Sequence, residues 1–253
     1  MNTGDIYSFI NTFAPFDTAE KWDNVGLLVG NSDNLITKVL ISLDITPAVV
    51  FEAYEKGAEL IVSHHPVIFD PLKNLVPNSA PYLLAKYGID AICAHTNLDI
   101  AENGVNDVLA KAAGIKDRPE LLIEKGKQAI GRIGFLENDM LFDDYVCFIK
   151  NVLNSNIVRY SKSSSSVCKV AVVGGAGDDY IELAREAGAD TFLTGDVKYH
   201  DFLLANELGM NLIDAGHFST ENLIITYLKE KFENEFPQTI FIVSEHKDII
   251  KGM

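Results

Sequence analysis

The chain has 253 residues, 47% hydrophobic and 23% charged, enough apolar material for one large globular core or two of ordinary size. That balance excludes a disordered chain, and 8 prolines with 18 glycines exclude a collagen-like or linker composition. A net charge of −15 opposes general binding to phosphate backbones, which disfavours nucleic acid as a partner, and no apolar run approaches the roughly 18 residues of a membrane span.

The opening stretch MNTGDIYSFINTF has no basic segment followed by an apolar one, so a cytoplasmic protein with no membrane partner is expected. Cys93, Cys147 and Cys168 are widely spaced, with no CxxC pair, and read as buried reduced thiols. Trp22, in KWDNVGLLVG, is the sole tryptophan and is expected to pack. Residues 38–66, KVLISLDITPAVVFEAYEKGAELIVSHHP, parse as strand, helix and strand. Thr46-Pro47 start the helix and Gly57 ends it. Asp44, just after the first strand, suits either a helix cap or a carboxylate that orients a neighbouring histidine. The segment VIFDPLKNLVPNSAP carries three prolines and reads as a loop, followed by a helix and a strand within LLAKYGIDAICAHTNLD.

A break between lobes is expected near EKGKQ, giving lobes of 1–126 and 127–253. FDDYVCFIKNVL then reads as an amphipathic helix, and Ser163–Ser166 as a turn. Residues 169–197, KVAVVGGAGDDYIELAREAGADTFLTGDV, repeat the strand-helix-strand pattern of 38–66, with Asp178 or Asp179 as a cap and Gly188 as a stop. The VVGGAGDD turn suits a plain tight turn or an anion cradle, but it lacks both the P-loop lysine and a full GxGxxG. LLANELGMNLIDAGHFSTE, residues 203–221, then repeats 83–99. His200 is a candidate for contact with substrate or a plain surface histidine, and His246 in SEHKD is expected to be solvated. The overall reading is an α/β protein of two related lobes, produced by an internal duplication.

His64 and His65 stand where a strand runs out, so both rings can turn to one cavity. Taken alone, the pair equally fits one buried, hydrogen-bonded ring and one solvated ring. The two copies also end alike, in His95-x-x-x-Asp99 and His217-x-x-x-Glu221. Residues i and i+4 share a helix face, so imidazole and carboxylate can converge on one ion. Such pairs are common on exposed helices, but matched pairs at equivalent points of a duplication point to a metal centre at strand ends. Five or six candidate ligands exceed a closed four-coordinate zinc site and suit two ions that share a water. The mixed imidazole and carboxylate donors favour Zn, Fe, Mn or Co.

WDNVGLLVG at 22–30, SHHP at 63–66, AHTNLD at 94–99, TGDVKYH at 194–200 and GHFSTE at 216–221 resemble the Nif-three-like dinuclear metal-centre proteins, also called GTP cyclohydrolase 1 type 2-like. The resemblance runs over nearly the whole length and is closest to the short form, with nothing inserted between lobes. It implies two similar α/β lobes facing a cleft with two metal ions, and a toroidal homohexamer. By position it assigns His64, His65, Asp99, His217 and Glu221 as metal ligands and His95 as a cleft histidine. The expected function is a hydrolase acting on a nucleotide-like small molecule or a phosphoester, with His95 acting on substrate. The alternative is a non-catalytic metal-binding or regulatory interaction protein.

Overall fold

A computed structural model describes residues 1–116, 119–123 and 129–252. In chain order the first elements are α1 (Thr3–Phe13), β1 (Gly26–Val29), β2 (Lys38–Ser42), α2 (Pro47–Lys56), β3 (Leu60–Ser63), α3 (Ala80–Tyr87), β4 (Asp90–Cys93) and α4 (Thr96–Ile100). Next come α5 (Val105–Ala112), β5 (Glu120–Ile123), β6 (Ala129–Leu141), α6 (Phe142–Val152), β7 (Arg159–Ser161), β8 (Ser166–Ala176) and α7 (Ile181–Glu186). The chain continues with β9 (Thr191–Gly195), α8 (Tyr199–Glu207), β10 (Asn211–Asp214), α9 (His217–Glu221), α10 (Leu223–Glu235) and β11 (Ile240–Val243). The protein is α/β, and no helix among the described residues is long and apolar enough to cross a membrane.

Two compact units are present: residues 1–102 with 224–247, and residues 103–223 with 248–253. The break expected at EKGKQ lies outside the described residues. The units also divide the chain differently from lobes of 1–126 and 127–253, for a pairing reason. β11 lies parallel to β2, with Ile240 beside Lys38, so the segment carrying α10 returns to the first unit.

In the first unit a five-stranded sheet runs β1-β4-β3-β2-β11, parallel except for β1. β3 and β4 are buried throughout, as expected of parallel strands covered on both faces. Leu40, Ile61 and Ala91 from the sheet pack with Val49, Val50 and Ala53 of α2 and with Leu83 and Leu84 of α3. α2 begins as the sequence predicts: the Thr46 hydroxyl accepts from Val49 N, Pro47 stands at the first turn, and Gly57 ends the helix. Thr46 rather than Asp44 is therefore the cap. Residues 67–79, the expected proline-bearing loop, carry no helix or strand.

The second unit holds a six-stranded sheet, β5-β6-β8-β9-β10-β7, whose centre β8-β9-β10 is parallel. Along β8, Val170 and Val172 face a core built on Phe142, Tyr145 and Ile149, while Ala171 and Val173 face one built on Ile181, Ala184 and Phe192. This is the period-two alternation of a strand covered on both sides. α6 spans the predicted amphipathic segment. Asp178 and Asp179 fall in a short 3₁₀ turn before α7 and make no side-chain cap; Asp178 instead pairs with Lys198 at 2.5 Å. Each unit contains the order strand, helix, strand, helix, strand and short helix: β2-α2-β3-α3-β4-α4 in the first, β8-α7-β9-α8-β10-α9 in the second.

Candidate metal centre

The chemistry-bearing residues cluster where parallel strands end, the usual ligand position in open α/β sheets. In the first unit the backbone of His64 and His65 still follows β2, donating to Ser42 O (3.4 Å) and Leu43 O (2.9 Å). The side chains then converge, with His64 and His65 rings 5.0 Å apart and each within 5.6 Å of His95. One ligand atom from each of these three histidines lies within 4.8 Å of the other two. His95 follows β4 and precedes α4, from which Asp99 places Oδ1 3.5 Å from His64 Nε2.

Each ring is oriented by a partner on Nδ1. His64 is fully buried and its Nδ1 donates to Ala94 O at 2.9 Å. His65 Nδ1 meets Asp44 Oδ1 at 2.8 Å, and His95 Nδ1 meets Asp23 Oδ1 at 2.9 Å. Carbonyls and carboxylates only accept, so each Nδ1 carries the hydrogen and a neutral ring presents its lone pair at Nε2. Asp23 has no exposed side-chain surface and also accepts from Thr96 N and Oγ1. Burial pushes its carboxyl up, but the hydrogen bonds from His95 and Thr96 outweigh this and hold it at about 2. Asp44 behaves similarly: burial raises its pKa, while His65 and His246 bring it below the ordinary carboxylate value. His246, expected to be solvated, places Nε2 3.2 Å from Asp44 Oδ2.

The second unit repeats the device. His217 opens α9 after β10, its Nδ1 meets Asp196 Oδ2 at 2.7 Å, and its Nε2 lies 3.0 Å from Glu221 Oε2 one turn along the helix. Glu221 is 4% exposed, so its carboxylate is nearly desolvated. In the VVGGAGDD segment β8 continues to Ala176, and the turn follows it, as the 3₁₀ turn Asp178–Tyr180. Gly175 makes room for the carboxylate. A Cβ on Gly175 (φ +65°) would stand 2.2 Å from Glu221 Oε1 and 3.1 Å from His217 Nε2. Beside His217 is a cleft of about 310 Å³, its walls including Ile157, Arg159, Asp196, Phe218 and Ile250. His200 is exposed in the first turn of α8, its ring 5.8 Å from that of Tyr199.

In the first unit His64, His65 and His95, with Asp99 beside them and an outer partner fixing each ring, form a donor set that fits a divalent transition metal; the second unit offers one imidazole, His217, and one carboxylate, Glu221. Asp23 and Asp196 were missed as ring partners, although both fall within the segments WDNVGLLVG and TGDVKYH. Other expectations are corrected. Trp22 is 59% exposed and not part of a core, its ring meeting those of Phe69 and His95. Of the cysteines, all free, only Cys93 is buried; Cys147 lies on the outer face of α6.

A family model for Duf34/NIF3 (NGG1p interacting factor 3) matches residues 1–249. A Clostridium perfringens protein named GTP cyclohydrolase 1 type 2 homolog is 36% identical over 260 residues, spanning 98% of both chains. A Methanocaldococcus jannaschii protein of the same name is 37% identical over 236 residues, spanning 91% of this chain and 94% of that one. Among solved structures, a hypothetical protein of Staphylococcus aureus superposes with a TM-score of 0.91 at 33% identity, over 100% of this chain and 99% of that one.

Proposed function

The chain belongs to the Duf34/NIF3 family, and we propose that it is a dinuclear metal-dependent hydrolase, GTP cyclohydrolase 1 type 2-like, acting on a nucleotide-like or phosphoester substrate. The observation that carries this reading is the set of four imidazoles, His64, His65, His95 and His217, each anchored through Nδ1. Such anchoring is the signature of rings that present Nε2 to a metal or a substrate. In this reading His64, His65, Asp99, His217 and Glu221 hold two divalent transition-metal ions. That both sets serve one pair of ions rests on the family resemblance.

When bound, the ions would supply Lewis acidity and lower the pKa of a coordinated water toward neutrality. The protein's own groups do the rest. Ala94 O, Asp44 and Asp196 keep the hydrogens of His64, His65 and His217 on Nδ1. Asp23 does the same for His95, whose Nε2 then takes or gives a proton at the substrate. A cytoplasmic toroidal homohexamer and a substrate contact at His200 belong to the same proposal, and light scattering of the purified protein checks the assembly.

Metal analysis tests the centre. Close to two transition-metal ions per chain are expected, with fewer in His64→Ala and Glu221→Ala. A protein that takes up none after reconstitution, or ligand variants that keep full occupancy, would overturn the reading. His95→Ala is expected to keep its metal while hydrolysis of the best substrate in a nucleotide and phosphoester screen slows by ~10²–10⁴-fold. Metal loss in that variant would instead make His95 a ligand. A fully loaded protein with no turnover across the screen would favour a metal-binding or regulatory role.

A further inference from the structure

The feature left unused by the metal centre is an exposed pair of aromatic rings on a pinned backbone. Trp22 is 59% exposed and Phe69 is 49% exposed, with ring centroids 5.9 Å apart. The Trp22 ring also meets His95 edge-on, at 6.2 Å and 77°. Its backbone is held on both sides. Asp23 is fixed by His95 and Thr96, Asn24 Nδ2 donates to Ile68 O at 2.6 Å, and Glu20 N donates to Thr96 Oγ1 at 3.0 Å. The Asn24 bond also ties the Phe69 loop to the tryptophan segment. One dipeptide thus serves two ends: Asp23 orients His95, and Trp22 offers an aromatic surface beside it.

We propose that Trp22, flanked by Phe69, is a stacking platform for a planar heteroaromatic ring of nucleobase size, which it holds next to His95 and the His64/His65 pair. The inference deepens the hydrolase reading and rests on it for the identity of the reacting centre. An indole face is electron-rich and stacks on such rings whatever the base, while a non-aromatic sugar phosphate has no π face to stack and gains far less from it. A rigid, half-exposed platform also needs little ordering when the ring arrives. Placement beside His95 favours a small ring over a protein partner, because whatever covers Trp22 also neighbours three histidines whose ligand atoms converge within 4.8 Å.

Trp22 is the only tryptophan in the chain, so intrinsic fluorescence reports on this one surface. Metal-free and zinc-loaded full-length protein would be titrated with GMP, and with ribose 5-phosphate as the ring-less control. Saturable quenching by GMP alone is expected in both forms. By calorimetry, Trp22→Ala should weaken GMP binding by about 10- to 100-fold with metal content unchanged, and Trp22→Phe should restore most of it. Equal responses to the two titrants, or undiminished GMP affinity in Trp22→Ala, would overturn the platform. So would emission that is already blue-shifted and moves to the red only on dilution, which would assign the face to a second copy of the chain. Loss of ring binding with both metals in place would leave the hydrolase reading standing. Failure to hold metal with ring binding intact would sink that reading and keep the platform.

Discussion

Replacing Gly175 by alanine tests whether this glycine exists to admit a carboxylate. An added Cβ would lie 2.2 Å from Glu221 Oε1, well inside the ~3.2 Å of an ordinary close contact, so the oxygen must retreat by about 1 Å. Metal–ligand distances are held to about 0.2 Å, so a displacement of that size would remove Glu221 from the proposed ligand set. The backbone contributes separately, because alanine at φ +65° costs about 1–2 kcal/mol. Gly209 separates the two effects: it has φ +67° and nothing within 4 Å of the added atom. Gly209→Ala should lower Tm by about 2–8 °C with full metal content. Gly175→Ala should lose at least that much stability and fall to the metal content of Glu221→Ala. Both variants would be assayed by elemental analysis and calorimetry on one preparation each. Wild-type metal in Gly175→Ala, or equal metal loss in both variants, would refute the reasoning.

Asp44→Ala removes the partner of His65 Nδ1 and should weaken metal affinity by about 10- to 100-fold in a chelator competition. His246→Ala should have a smaller effect, since it touches Asp44 and leaves the His65 bond in place. Glu52 gives a pH test away from the histidines. Burial raises its carboxyl, but Lys56, the Ser244 hydroxyl and Glu245 N together hold it below 4.5. A depressed carboxyl stabilises the fold above its unfolded pKa, and that contribution fades as pH falls below 4.5. Glu52→Gln should therefore lose about 1 kcal/mol at pH 7, a Tm drop of roughly 2–4 °C, with the gap to wild type closing in acid. A gap that widens on acidification would contradict that sign.

Local patterns were legible because the forces behind them are local. Thr46-Pro47 and Gly57 bound α2 through caps that act within one turn, and His217 and Glu221 meet because i and i+4 share a helix face. The apolar runs of β3, β4, β9 and β10 announced buried parallel strands, since each must be covered on both faces. The pairing of His64 and His65 at a strand end was likewise readable from the end of an apolar run before a proline.

Tertiary structure alone decided the partners. Asp23 reaches His95 across 72 positions, Asp44 reaches His65 across 21, and Asp44 reaches His246 across 202. No periodicity encodes such distances, because sheet order and loop paths set them. The same holds for β11, whose place beside β2 moves the segment carrying α10 into the first unit. Asp99 faces His64 at 3.5 Å because β4, which leads into α4, pairs in parallel with β3, which the His-x-x-x-Asp spacing does not specify. Gly175 is free of a side chain for the sake of a carboxylate 46 positions later, and Trp22, outside any core, meets the rings of Phe69 and His95. Strand and helix periods record which face of an element is apolar, whereas the packing of distant elements determines what that face meets.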